Sequence, residues 1–456
     1  MAGEWRETTL DRLGSIVTGK TPPSSRREYF GGDVPFVTPT DLDGRRLIES
    51  TGRYLTEEGA NSVSSSRVPA GAVMVSCIGS DMGKSALAAR DCVTNQQINS
   101  IVVAPAEVPL FVYYNLSTRK AEIRTAAGGS AQPILNKSAF GRLDILLPPA
   151  DEQRAIAHIL GTLDDKIELN RRMNETLEAM ARTLFKSWFV DFDPVRAKHA
   201  LSKVERAKGR PSTSSGQAIP RLPKHLADLF PDSFEDSELG EIPKEWSVAR
   251  LGDACDVIDC LHSKKPEGRD TGQPLLQLSN IRDDGLIDMA DAYFIDDADY
   301  SCWISRMEAS TGDCVITNVG RVGAVAQMPR GLKAALGRNM SGVRCKPNFP
   351  FPTFVIECLL SDAMKNEISL RVDSGTILDA LNVRNIPRLR FVRANQNVLK
   401  RFELLSRPLR ARMEDALAES RTLAAMRDAL LPKLVSGEIR LDVQRATGRA
   451  EAGGVL

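Results

Sequence analysis

Gly14, Gly19, Lys20 and Thr21, in the stretch "LGSIVTGKTPP", stand in the spacing G-x-x-x-x-G-K-[ST]. In a phosphate-binding loop of that form, backbone amides cradle the phosphates while the lysine and the hydroxyl reach phosphate oxygens and magnesium. The chemistry needs a buried strand before the loop and a helix after it. Here "RETTLDR" precedes, which is no buried strand. Pro22 bars Thr21 from the α region, and Pro22 with Pro23 postpones any helix past the place of a phosphate. A second near-match, "GSDMGKSA", is one residue short. The residues therefore predict no nucleotide hydrolysis.

Other catalytic constellations also fail. His158, His199, His225 and His262 stand apart, and neither H-E-x-x-H nor G-x-S-x-G occurs. Cys255, Cys260 and His262 come nearest to a metal cluster, but zinc spacing wants two close pairs. The eight cysteines are expected to be reduced, buried thiols. Pro148-Pro149 lies between Leu and Ala, without the polar and aromatic neighbours with which amino-methyltransferases hold a target amine. No catalytic residue and no metal ligand is expected, so the chain reads as a non-enzyme.

The bulk numbers agree with a globular protein of two or more domains: 456 residues, 42% hydrophobic and 26% charged. The charged start "MAGEWRETTLDRL" predicts no signal peptide, and no run approaches 18 apolar residues. A cytoplasmic location follows as an expectation. Net charge is +1, with 16 basic against 15 acidic residues in 1–150 and 19 against 21 in 240–394. Any polyanion partner must meet positive groups placed on one face rather than in excess.

The elements that position these groups are organised by an internal repeat. "VPFVTPTDL" returns as "QPLLQLSNI", "YLTEE" as "YFIDD", and "AGAVMVSCIGSDMGKSALA" as "TGDCVITNVGRVGAVA". From residue 129 the register holds without a gap at an offset of 246, so that Asn136 maps to Asn382 and Ile145 to Phe391. The two Asn are expected to structure their loops. Short β-branched runs predict strands, while "PLFVYYNLSTRKAEIRTAA" and "PTFVIECLLSDAMKNEISL" predict helices. Each globular unit is followed by one long helix with a seam spaced by four and three. The first seam runs Ile156, Leu160, Leu163, Ile167, Asn170, Asn174, Leu177, Ala181, Leu184 and Trp188. The second holds Phe402, Leu409, Met413, Ala416, Ser420, Leu423, Leu430 and Leu434, widened by Leu405 and Met426. Antiparallel helices would bring Asn170 and Asn174 opposite the small Ala416 and Ser420.

Two readers separated by helices suit duplex DNA, whose grooves repeat at fixed intervals. Both globular units offer polar loop residues near glycines that could approach phosphates and base edges. In the first these are Lys20, Thr21, Ser24, Arg26, Arg27, Thr38, Lys84, Gln96, Gln97, Ser130, Gln132 and Lys137. In the second they are Lys264, Lys265, Ser279, Asn280, Arg282, Asn318, Arg321, Arg338, Asn339, Thr376 and Arg384. The near-zero charge also fits a rival, a coiled-coil scaffold that joins proteins without touching DNA.

The order globular–helix–globular–helix resembles the specificity subunit of type I restriction–modification systems. The match is carried by "LFKSWFVDFDPVRAK", "LFPDSFEDSELGEIPKEW" and "LLPKLVSGEI", with "PADEQRAIAHIL" like the start of that family's first spacer helix. The resemblance implies an α+β protein with two similar mixed α/β target-recognition domains, joined by two long antiparallel coiled-coil helices in a pseudo-twofold repeat. The expected boundaries are 1–148 and 240–394 for the recognition domains and 149–195 and 395–440 for the helices. Residues 196–239 are expected as a linker and 441–456 as a flexible tail. The implied partners are double-stranded DNA, two modification (methyltransferase) subunits and, through them, restriction subunits. S-adenosylmethionine, ATP and Mg would then belong to those partners, with no cofactor bound by this chain.

Overall fold

Two units, Met1–Glu168 with Thr422–Leu456 and Leu169–Arg421, carry the same strand order. They are seen in a computed structural model that describes residues 4–127, 133–207, 223–373 and 379–441. In the first unit, β1 (Gly14–Thr18), β2 (Val73–Ser76), β3 (Ser85–Ala88) and β4 (Ile98–Val103) form an antiparallel sheet in the order β1-β4-β2-β3. A parallel edge, Leu47–Ile48, extends it. A second, mixed sheet joins Tyr54–Leu55, Phe30–Val37, Cys92–Thr94 and Arg67–Val68 in that order. Arg6–Thr9 and Asp144–Leu147 pair as a separate ribbon.

The second unit repeats this wiring. Its strands β5 (Cys255–Asp259), β6 (Cys314–Thr317), β7 (Val325–Gln327) and β8 (Met340–Cys345) run in the order β5-β8-β6-β7. Phe294–Ile295, Gln273–Leu276, Ala334–Leu336 and Glu308–Ala309 form its mixed sheet. Ser247–Arg250 and Arg390–Arg393 form its ribbon. Asn136 and Asn382 cap equivalent turns, accepting the amides of Ala139 and Arg384, as the repeat implied.

Each helix expected after the sheets is two helices. The first unit has α1 (Pro109–Ser117) and then Lys120–Ala126. The Ser117 and Thr118 hydroxyls return to the carbonyls of Tyr114 and Asn115, which offers the backbone an alternative to continuing. The second unit has α2 (Pro352–Leu360) and then Asp362–Ser369, with Ser361 capping the amide of Met364. Both α1 and α2 begin with Pro, pre-set for a first turn, and are buried on nearly every side.

The two long helices, Ala150–Phe189 and Gln396–Val435, are 40 residues each. In the first unit, Ile156 and Leu160 are buried in one core with Phe111, Tyr114, Leu434 and Val435, and Leu430 lies against it. Leu163 and Ile167 are half-buried. Arg427 pairs with Asp164 at 2.8 Å. Met426 does not widen the stripe but is 49% exposed, because Arg427 takes the inward place.

In the second unit the amide of Asn170 reaches Glu419 Oε2 at 2.8 Å, Ser420 Oγ at 3.3 Å and the Ala416 carbonyl at 3.4 Å. Asn174 donates to the Met413 carbonyl at 3.2 Å. The helix segments there are antiparallel, and the small Ala416 and Ser420 make room for the amides. Met413 and Ala416 are buried; Leu177, Leu184, Leu409 and Leu423 (the last in the first unit) are half-buried. Ser406 and Arg410, outside the expected seam, are fully enclosed. Phe185, Trp188 and Phe189 meet Phe402 with ring centroids 5.9, 6.1 and 5.0 Å apart. Phe230, Trp246 and Phe354 complete that aromatic core, which is what "LFKSWFVDF" builds.

The segment expected as linker is folded at both ends. The first long helix stops at Phe189, short of the expected 195; Phe192 takes φ 55° in the break, and Asp193–Ala207 is a separate helix with Val195 buried. Lys198 donates to the Phe230 carbonyl at 2.7 Å, and Phe234–Ser237 pairs with Gly240–Pro243. Residues 208–222, and the tail beyond Leu441, lie outside the described residues.

Candidate nucleic-acid interface

The stretch that matched a phosphate loop is strand and extended chain. Gly14 opens β1, and the first helical turn beyond is a short one at Arg27–Tyr29. The Gly19 amide donates to the Ile98 carbonyl and the Lys20 amide to the Thr94 carbonyl, so these amides face no free anion. A Cβ on Gly19 would lie 1.9 Å from the Asn95 carbonyl oxygen. Glycine is required there because two backbones touch. Thr21 Oγ1 donates to Gln96 Oε1 at 2.6 Å, which joins this segment to the exposed turn between Thr94 and Ile98. Lys20 and Gln96 are exposed beside each other's segments.

The second unit has the same construction. The Cys260 amide donates to the Met340 carbonyl, as Gly19 does to Ile98. Asn339 accepts from the Asn318 amide at 2.7 Å, as Gln97 does from Cys77. Leu381 then donates to Asn318, as Leu135 does to Cys77. By this correspondence Arg338 occupies the place of Gln96 at the turn tip, and it too is exposed. Asn339 holds φ 66°, the left-handed conformation Asn tolerates, and this turns Arg338 outward. Equivalent glycines, Gly79 and Gly320, then Gly83 and Gly323, hold positive φ in the neighbouring turns.

Several expected contact residues have partners within the chain. Thr38 forms a capping box with Asp41, and Asn280 forms the equivalent one with Gln277. Asn318 is buried and bonded to Ser341. Arg282 pairs with Asp284 at 2.8 Å, and burial only partly opposes the upward push this carboxylate gives its pKa. Arg321 binds the carbonyls of Leu278 and Ile281 and the carboxylate of Asp283. These five shape the loops. Lys84 pairs with Asp81, whose carboxyl it holds below the usual range, and Arg26 pairs with Glu28. Gln97 accepts from the amide of Asn95, and Lys265 sits 3.7 Å over the Tyr293 ring. Ser24, Arg27, Lys137, Lys264, Ser279 and Arg384 are exposed. Ser130, Gln132 and Thr376 lie outside the described residues.

Of the group at the end of β5, sequence spacing singled out Cys260 and His262 but with Cys255 in place of Asp259. Asp259, Cys260 and His262 bring oxygen, sulfur and nitrogen within 4.8 Å of one another. His262 Nε2 lies 2.8 Å from Asp259 Oδ2, and Arg306 lies 3.7 Å from that same oxygen. Burial pushes the Cys260 thiol up. The His262–Asp259 contact ties the 261–265 loop to the end of β5, and Arg306 pairs with the same carboxylate. Also unforeseen were the polar groups that dock each sheet domain on its helices. In the first unit the Tyr114 hydroxyl donates to Asp164 at 2.6 Å, with Arg427 on the other oxygen. In the second, Glu357 of α2 meets Arg410 of the second long helix at 3.4 Å. Each partner is about fifty residues or more from its mate, beyond any local pattern.

Fold and loops together define a protein of two like mixed α/β modules, each followed by a long helix, with exposed polar turns at equivalent places. A family model described as "Type I restriction modification DNA specificity domain" matches residues 2–179. The specificity subunit of the type I restriction enzyme MjaIX of Methanocaldococcus jannaschii is 28% identical over 96% of this chain and 94% of its own. That of HindI from Haemophilus influenzae is 34% identical over 38% of this chain and 39% of its own. The solved S subunit of a type I restriction–modification system from M. genitalium shares the fold, with a TM-score of 0.57 at 15% identity, covering 95% of this chain and 96% of that one. Residues 2–179 thus match that domain family, and the chain as a whole is similar to a type I restriction enzyme specificity subunit over nearly its full length.

Proposed function

We propose that this chain is the sequence-reading subunit of a type I restriction–modification complex, a non-catalytic component that gives the complex its DNA specificity. The observation that carries the reading is the repeated pair of exposed turns, Gln96 in one module and Arg338 in the other, on the same hydrogen-bonded scaffold. Each module reads one half of a bipartite site. Arg338 suits guanine O6 and N7, and Gln96 suits adenine N6 and N7. Lys20, with Thr21 beside it, supplies a backbone phosphate contact that positions without specifying.

In this reading the two modules are recognition domains over 1–148 and 240–394, and the long helices Ala150–Phe189 and Gln396–Val435 act as an antiparallel coiled-coil ruler and dock two methyltransferase subunits. Restriction subunits join through them. S-adenosylmethionine, ATP and Mg are used by those partners, in the cytoplasm. Among the described residues no helix is long and apolar enough to cross a membrane.

The test is to sequence methylated sites in cells making this chain with its modification subunit. Two specific halves around an unspecified spacer are expected, and a four-residue insertion within 163–177 should change the spacer or abolish assembly. Methylation without a bipartite site would contradict the reading, and unchanged spacing with full activity would contradict the ruler.

A further inference from the structure

Cys255 and Cys345 are directly opposite in the antiparallel pair β5–β8. The register tells which kind of pair they form. Lys346 donates to Ala254 and Cys260 donates to Met340, so hydrogen-bonded pairs fall at 254↔346 and 260↔340 and alternate between. Cys255↔Cys345 is therefore a non-hydrogen-bonded pair, with Cα atoms about 4.5 Å apart and side chains on one face at their closest approach. That separation lies within the roughly 4.4–6.8 Å a disulfide spans. Both are free thiols; Cys255 is buried and Cys345 half-buried, so a small oxidant can reach one of them. A hydrogen bond to Cys345, then burial, raises the Cys255 thiol and keeps it protonated.

We propose that Cys255 and Cys345 form an oxidisable dithiol, closed to a cross-strand disulfide by a peroxide. The Cys345 sulfur attacks the peroxide, the O–O bond breaks, and a sulfenic acid and one water form. The Cys255 sulfur then displaces the hydroxyl, which leaves as a second water with the thiol proton. Two thiol hydrogens and one peroxide become one S–S bond and two waters. The bond ties β5 to β8, the strands that carry the 261–265 loop and the Arg338 turn at their other ends. Cys314 and Cys358 lie close by, but burial holds their thiols protonated, Cys358 at about 12, and no oxidant reaches them.

The test exposes the full chain, purified reduced, to hydrogen peroxide and maps its peptides by mass spectrometry. A Cys302→Ser background removes the exposed thiol that could link two chains. Expected are loss of two thiols, a linked pair of peptides holding Cys255 and Cys345, reversal by dithiothreitol, and a melting midpoint raised by several degrees. The Cys345→Ser chain, a near-isosteric change at a half-buried site, should keep its remaining thiols under the same treatment. Retention of all thiols, a link through Cys314 instead, or sulfinic acid at Cys345 beside a free Cys255 would each overturn the proposal.

Discussion

Arg410 and Glu357 form an ion pair 3.4 Å apart with side chains only 3% and 2% exposed, joining the second long helix to α2. Arg410 also donates to the carbonyls of Asp284 and Gly285. Burial pushes the Glu357 carboxyl up, against the opposite pull of Arg410 and Arg182. Its counterpart in the first unit is the Tyr114–Asp164 hydrogen bond, so the same docking contact is made with different chemistry.

Removing one partner of the pair leaves the other buried. Arg410→Met should lower stability by about 3–5 kcal/mol, and Glu357→Leu by at least as much, because a guanidinium cannot shed its charge while a carboxyl can take a proton. The double variant should cost clearly less than the sum. Urea denaturation of the four chains measures this, and additivity within about 0.5 kcal/mol would show the pair to be energetically idle.

Glu152 gathers the Trp5 indole at 3.0 Å, the Arg440 guanidinium at 3.0 Å and the Leu441 amide at 3.1 Å. Burial raises its carboxyl, yet these donors outweigh burial and the net shift is below the ordinary 4.5. With the folded value lower than the unfolded one, the stabilisation is present above 4.5 and is lost as pH falls through the folded value. Melting midpoints taken down to about pH 3 should fall more steeply for the natural chain than for Glu152→Gln. Equal slopes would mean that the contact does not hold the C-terminal segment.

Asn170 is 1% exposed and its Oδ1 has no partner among the described residues, while its amide faces Glu419. Asn170→Leu should therefore stay within about 1 kcal/mol of the natural chain, since it removes an unpaired acceptor as well as the donors. Asn170→Asp should cost about 2–4 kcal/mol at neutral pH, from a buried charge facing Glu419, and recover on acidification. Thermal melts at two pH values decide it; a leucine worse than the aspartate would assign the seam's register to the amide.

Lys20→Ala should weaken binding of the assembled complex about equally on all DNA sequences and reduce the salt slope by roughly one. Arg338→Ala should cost about 1–3 kcal/mol on the cognate site and relax preference in one half of it alone. Titrations at several salt concentrations separate the two. A uniform loss for Arg338→Ala would make it a phosphate contact.

Much of this was legible in the sequence because it is local or repeated. The 246-residue register gave Asn136 and Asn382 as paired caps, and the four-three spacing put Asn170 opposite Ala416 and Ser420. Two prolines sufficed to remove the phosphate loop. What was not legible depends on long-range partners. Arg410 looks like a solvated helix residue until Glu357, 53 positions away, is placed against it. Arg321, Arg282 and Asn318 looked like free polar loop residues, yet Arg321 and Arg282 satisfy carbonyls and carboxylates, and Asn318 the Ser341 hydroxyl, that only the folded loops present. Gln96 and Arg338 were among the contacts expected from the sequence, but their equivalent place at the turn tips emerges only when the backbone pairing is known.

The central claim is that two modules read two halves independently. Exchanging residues 240–394 for the corresponding domain of another specificity subunit, and sequencing the methylated sites in cells with the modification subunit present, tests it most directly. The account predicts that one half of the modified sequence changes and the other is retained. A change in both halves, or in neither, would contradict it.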